Sequence, residues 1–115
     1  MLFRSNVLGA ANTMEIFFTA KKFNAQEALR MGFLSRVVPV AELEQATAEI
    51  CRMIAENAPL TVAAAKFAAQ QALKDPADRD MAEAVKLVEA CFESEDHKEG
   101  RRAFMEKRTP AFKGR

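Results

Sequence analysis

"VAELEQATAEICRMIAENAPLTVAAAKFAAQQALK", residues 40–74, decides what kind of chain this is. Leu43, Ala46, Ile50 and Ile54 recur at steps of three and four, with Cys51 and Ala58 alongside. That period belongs to an amphipathic helix, because residues three and four apart share one face. Glu42, Glu44, Glu49, Arg52 and Glu56 fall on the wet side. Asn57 can end the helix, and Pro59 suits the first turn of the next, where its missing N–H costs nothing. The second helix carries Ala63, Ala64, Ala65, Ala68, Ala69 and Ala72. Alanine favours helix and lets a neighbour come close, which predicts a place in the middle of a helical layer.

The same reading extends in both directions. Asp75-Pro76 breaks the alanine-rich helix. "DRDMAEAVKLVEACFES", residues 78–94, is a third long helix with Met81, Val85, Val88 and Phe92 on one stripe. Its first turn is acidic, as the helix dipole favours. Ser94 then reads as the N-cap of a closing helix with Glu95 and Asp96 in its first turn. That helix is predicted to run to about Arg108, and Pro110 stops it. Upstream, "FNAQEALRMGF", residues 23–33, has Asn24 as N-cap and Glu27 at the capping-box spacing. Phe23 can staple onto Ala28, and Gly32 is a candidate left-handed stop. "NTMEIFFTA", residues 12–20, puts Met14, Phe17 and Phe18 on one side, with Asn12 as a possible cap. "FLSRVVP", residues 33–39, is a short extended segment, too short for a sheet of its own. The expected fold is all-α: about six helices and one short extended segment, with no internal repeat.

At 115 residues, half of them hydrophobic, the chain is long enough for one domain with a core. The formal net charge of +1 gives no global attraction to nucleic acid or membrane. The charge is uneven, however. From Asp75 to Glu99 there are nine acids and three bases; from Arg101 to Arg115 there are six bases and one acid. No run approaches the ~20 apolar residues of a membrane span, and the start "MLFRSNVLGAANTM" lacks the apolar core of a signal peptide. Cys51 and Cys91 lie inside helical patterns and form no C-x-x-C pair, so they read as buried reduced thiols of a cytoplasmic protein.

No self-sufficient active site is legible. The single histidine, His97, sits in an acidic helix start with no nucleophile or second metal ligand at a useful spacing, and reads as a surface residue. The four glycines form no phosphate loop, and no pair of carboxylates stands apart from the wet faces. No catalytic and no metal-binding residue is expected. The tail does carry binding chemistry. On a continuous helix Arg101, Phe104, Lys107 and Arg108 would share one side. An aromatic beside mobile cations suits a ligand with an apolar part and phosphates. The competing reading is that Phe104 is core and the cations are solvated.

The order of these motifs resembles the C-terminal helical part of the enoyl-CoA hydratase/isomerase (crotonase) family. Asn12–Thr19, Ala25–Ala28, Gly32 and Val37–Pro39 follow the run that opens that part. "ENAPLTVAAAKFAAQQAL", residues 56–73, resembles the family's A-N-A-P helix start. "SEDHKEGRRAFMEKRTPAFKGR", residues 94–115, resembles its E-G-x-x-A-F-x-E-K-R-x-P-x-F signature. The resemblance covers residues 9–115 and leaves residues 1–8 as an unmatched start, as if this start were set inside a longer reading frame.

The resemblance implies a C-terminal helical lobe of a crotonase-like α/β fold, without the family's β-β-α core. In the family that core carries the chemistry: two backbone N–H groups form an oxyanion hole for the thioester enolate, and glutamates move protons. Glu15, Glu27 and Glu106 match structural positions, so the chain is expected to be inactive alone. The closing helix in the family helps cover an acyl-CoA site, often a neighbouring subunit's. This implies substrate contacts for Phe104 and Lys107, coenzyme A thioester as substrate, no resident cofactor, and a homotrimer or hexamer. Hydration, the family's commonest activity, is the expected reaction in fatty-acid or related acyl-CoA metabolism. Two other readings remain: a stand-alone helical module that binds acyl-CoA or assembles with a separate core, and a nucleic-acid binder using the basic tail. The latter is the weaker reading, since no recognition helix stands out.

Overall fold

The computed structural model describes residues 2–115, with side chains from Ser5 onward. The expectation of an unmatched start at residues 1–8 therefore lies partly outside the described residues. Six α-helices appear: α1 (Leu2–Thr19), α2 (Ala25–Arg30), α3 (Leu43–Ala55), α4 (Pro59–Ala72), α5 (Met81–Glu93) and α6 (Glu95–Glu106). Short 3-10 turns occupy Val40–Glu42 and Pro76–Asp78. Among the described residues there is no strand, and residues 33–39 stay irregular. The chain divides into two units, Met1–Ala46 and Thr47–Arg115.

In the first unit, α1 is broken at Gly9, whose φ of 74° and ψ of 166° lie outside the helical region. Glycine tolerates this backbone because it has no Cβ to clash. Asn12 therefore does not cap a helix that begins there. It sits just past the break, and its side-chain amide donates to the Leu8 carbonyl at 2.9 Å. α1 ends on Ala20, in a left-handed conformation with φ 50°, whose N–H bonds the Ile16 carbonyl.

α2 is built as its sequence predicts. Asn24 Oδ1 accepts from the Glu27 N–H at 2.9 Å, and Glu27 Oε2 accepts from the Asn24 N–H at 2.9 Å. Gly32 stops the helix with φ 78°. Its N–H bonds Leu29 O at 3.0 Å, and the Phe33 N–H bonds Ala28 O at 2.9 Å, a Schellman motif. A Cβ at Gly32 would meet no atom within 4 Å, so the cost of a side chain there is backbone strain alone. Gly32→Ala is expected to weaken this turn by about 1 kcal/mol, read as roughly fivefold faster amide exchange at Phe33. Phe23 meets the edge of Phe33, ring centroids 6.4 Å apart, beside Ala28, which is only 4% exposed.

In the second unit α4 packs on α5, and α5 on α6. The central helix is thus α5. The alanine-rich α4 was expected there, but its small-residue face instead lines an open groove. Asn57 closes α3 as expected, its amide donating to Met53 O at 2.6 Å. Pro59 opens α4, and Asp80 caps α5 by accepting from the Glu83 N–H at 2.9 Å. The buried Gln71 side chain accepts from the Asp80 N–H at 3.0 Å and ties the end of α4 to the start of α5. Ser94 serves two helices. It terminates α5, its hydroxyl donating to Cys91 O, and it caps α6, accepting from the His97 N–H at 3.0 Å.

Burial is sparse. Among the described residues only Ala28 and Ala103 are buried apolar residues, and no large side chain is fully buried. The stripe Met81, Val85, Val88 and Phe92 is exposed, as are Met14, Phe17, Phe18 and Leu34; Phe33 and Val37 are half-buried. The expected core faces exist, but this chain does not cover them. The cysteines follow the same pattern: Cys51 is exposed and Cys91 half-buried, and both are free thiols rather than buried ones.

Candidate functional site

An apolar groove of about 660 Å³ lies within the second unit. Ala64, Ala65 and Ala68 of α4 form its floor, where small side chains leave room. Val88, Cys91 and Phe92 of α5 supply a wall. From α6 come His97, Gly100, Arg101 and Phe104, and from the tail Phe112. Phe104 stands at this groove with 82% of its surface open, so it is not core. His97 also departs from its sequence reading. It is half-buried, lines the groove, and sets its ring against the edge of Phe92, centroids 5.3 Å apart.

The tail folds back along α6 and is held by two carboxylates. Asp96, only 3% exposed, accepts from the Lys113 N–H at Oδ1 and from the Gly114 N–H at Oδ2, both at 2.7 Å. Its own N–H donates to Arg115 O at 3.1 Å. One turn on, Glu99 Oε1 accepts from Arg108 Nη1 at 2.6 Å and from the Ala111 N–H at 3.0 Å, and Glu99 also pairs with Arg102. Phe112 is thereby laid on the bare face of Gly100, where a Cβ would lie 3.5 Å from the ring. Gly114, φ 73°, passes Pro59 at the start of α4, where a Cβ would lie 3.4 Å from the proline ring.

The Arg108 guanidinium, then Arg102 and the Ala111 N–H, hold the Glu99 carboxyl far below the usual carboxylate range. The same pairing, with Glu106, raises Arg108. A carboxyl lowered in the folded state contributes its full stabilisation at pH above its unfolded value of about 4.3, and that stability is lost progressively as pH falls from there to the lower folded value. Amide protection at Ala111, corrected for intrinsic exchange, is therefore expected to stay constant from pH 7 to about pH 5 and to decline below it.

The continuous cationic stripe expected on the last helix does not form. α6 ends at Glu106, because Lys107 turns left-handed with φ 53°. The Lys107 N–H bonds Phe104 O and the Arg108 N–H bonds Ala103 O, a second Schellman motif with lysine where glycine is usual. The chain reverses there, so Arg108 points back to Glu99 and Glu106 instead of following Arg101 and Phe104. Lys107 itself is exposed at the helix end and is not among the residues lining the groove. Of the two residues singled out by sequence, the structure places Phe104 at the groove and Lys107 one turn beyond it. Asp96 and Phe112 were not singled out. Their relation spans 17 and 18 residues through the neighbouring amides, and no local spacing announces it.

An all-helical chain with an open apolar groove and uncovered helix faces is one part of a larger architecture in its relatives. The family model described as enoyl-CoA hydratase/isomerase matches residues 1–115, and the chain belongs to that family, also called the crotonases. The short-chain-enoyl-CoA hydratase of Clostridium acetobutylicum is 35% identical over 104 residues, covering 90% of this chain and 40% of the relative. Methylmalonyl-CoA decarboxylase of Escherichia coli is 39% identical over 106 residues, covering 87% and 39%. The crystal structure of a probable enoyl-CoA hydratase/isomerase from Mycobacterium abscessus superposes with a TM-score of 0.85 at 34% identity, covering 96% of this chain and 43% of that one. The chain thus spans about two-fifths of the length of the relatives it matches. Its fold is the helical C-terminal part of a crotonase-like structure. Among the described residues no helix is long and apolar enough to cross a membrane, and no cluster of three metal-ligating side chains occurs.

Proposed function

We propose that this chain acts as the C-terminal helical lobe of an enzyme working on acyl-CoA thioesters, supplying oligomer contacts and part of the coenzyme A site. The observation that carries the reading is the pairing of an open aromatic at an apolar groove with a lysine held just beyond it. Phe104 borders the acyl or pantetheine part of the ligand, and Lys107 faces the nucleotide phosphates. A left-handed lysine costs about 1 kcal/mol against glycine. Such a strained backbone position is a ground for assigning a role to its side chain.

Catalysis belongs to the part of the family fold that this chain does not span, and the thioester is substrate rather than resident cofactor. The relatives' names cover both hydration and decarboxylation, which supports a reaction set by residues outside this lobe. We place hydration first, in a cytoplasmic homotrimer or hexamer. A stand-alone acyl-CoA-binding module is the second reading, favoured by a groove walled entirely by residues of one unit.

Octanoyl-CoA binding by titration calorimetry at two salt concentrations tests the assignment. Lys107→Ala is expected to weaken binding about fivefold and to flatten its salt dependence, as loss of one phosphate contact should. Unchanged affinity and an unchanged salt slope would remove Lys107 from the site.

A further inference from the structure

We infer that Asp96 is a positioning residue: by clasping residues 113–115 it sets Phe112 as a wall of the apolar groove and so limits how an acyl chain seats there. The inference rests on the reading of this groove as the acyl site. Three observations converge on it. The Asp96 carboxylate is buried, yet no cation is bonded to it; both of its oxygens are spent on successive tail amides, Lys113 and Gly114. Successive amides converging on one carboxylate fix the backbone in direction as well as place, because each N–H must point at its own oxygen. The residue just before this pair is Phe112, whose ring rests against Gly100 and lines the groove.

Glu99 makes a separate anchor at Ala111, on the other side of Phe112. Phe112 is therefore held between two carboxylate anchors on α6, which a ring merely resting in a cleft would not need. The tail's passage across Pro59 connects the clasp to the start of α4, the helix that forms the groove floor.

The test uses the full chain in four forms: wild type, Asp96→Asn, Phe112→Ala and the double variant. Asparagine keeps the shape of aspartate but turns an N–H group toward one tail amide. Amide exchange at Lys113 and Gly114 is expected to quicken about tenfold in Asp96→Asn, since one part-buried N–H loses its acceptor and the other exchanges a carboxylate oxygen for a weaker neutral amide oxygen. Octanoyl-CoA binding is expected to weaken about fivefold in either single variant, while binding of free coenzyme A stays unchanged. In the Phe112→Ala background, Asp96→Asn should add nothing to the loss, which a purely structural role would not produce.

Unchanged exchange at Lys113 and Gly114 overturns the clasp. Faster exchange with additive losses overturns the link to Phe112. Wild type that does not bind octanoyl-CoA sinks the acyl reading alone; the clasp is then read from the contact between the Phe112 ring and the Gly100 α-protons in nuclear Overhauser spectra. Loss of that contact in Asp96→Asn supports the positioning role, and its persistence refutes it. Should Asp96→Asn lose helical circular dichroism, removal of residues 113–115, which takes away the clasped amides and leaves Phe112 in place, replaces it in the binding comparisons and in the Phe112–Gly100 Overhauser readout.

Discussion

Heated alone, the 115-residue chain is expected to lose its helical signal over a wide temperature range and to bind anilinonaphthalene sulfonate at room temperature. A cooperative domain of this length unfolds with about 80 kcal/mol of enthalpy near its midpoint, which makes a sharp transition. Cooperativity comes from side chains that must be buried together, and among the described residues the buried apolar set is Ala28 and Ala103. Phe17 and Phe18 in one unit, and Val85, Val88 and Phe92 in the other, hold apolar surface open to water. At roughly 25 cal/mol per Å² these faces forgo the largest favourable contribution to folding, leaving helix caps and local ladders to do most of the holding. The van't Hoff enthalpy from circular dichroism is expected to be less than about half the cooperative figure. A single steep melt of a monomer, with no dye binding, would show that the open faces do not govern stability.

The largest single-residue effect is expected at Ala103. It is 1% exposed, the most enclosed apolar residue among the described residues, and its carbonyl accepts the Arg108 N–H that closes α6. Leucine there has nowhere to place three further carbons without moving the tail or the helix. Overpacking of this kind costs about 2 kcal/mol. Ala103→Leu is thus expected to speed amide exchange at Arg108 about thirtyfold, the factor that such an energy implies. The measurement is local, as suits a chain without one global transition. An unaltered Arg108 amide would mean that the enclosure of Ala103 is not tight.

Most elements were legible because their signals are local. The Asn24 capping box, the Gly32 stop, the Pro59 start and the Ser94 cap each lie within a few residues of what they organise, and each is present. The apolar stripes were legible too, but a stripe tells only that a face wants cover. It does not tell whether the same chain supplies the cover, and here it does not. The break in α1 was missed because Gly9 was not weighed as a helix interrupter, so Asn12 was given a cap's task. At the C-terminal end the helical period was carried through Lys107, and no glycine warned of a reversal. Yet the reversal turns Arg108 from a groove-side cation into the partner of Glu99. The groove depends on Asp96, Gly100 and Phe112 meeting across a turn of the chain, and sequence spacing carries no record of that meeting.

The double duty of Ser94 bears on which changes in length this architecture can accept over generations. α5 and α6 share a single residue as the end of one and the cap of the other, so no linker lies between them. One residue inserted into the first turn of α6 would rotate everything downstream by about 100° about the helix axis. Phe104, Gly100 and the anchors of the tail would leave their places together. The join between α4 and α5 is different, since residues 73–80 run as an exposed irregular segment around one 3-10 turn. Insertions and deletions among natural homologues should therefore gather at that join and be purged at Ser94, a bias that a count of gaps across many sequences would expose.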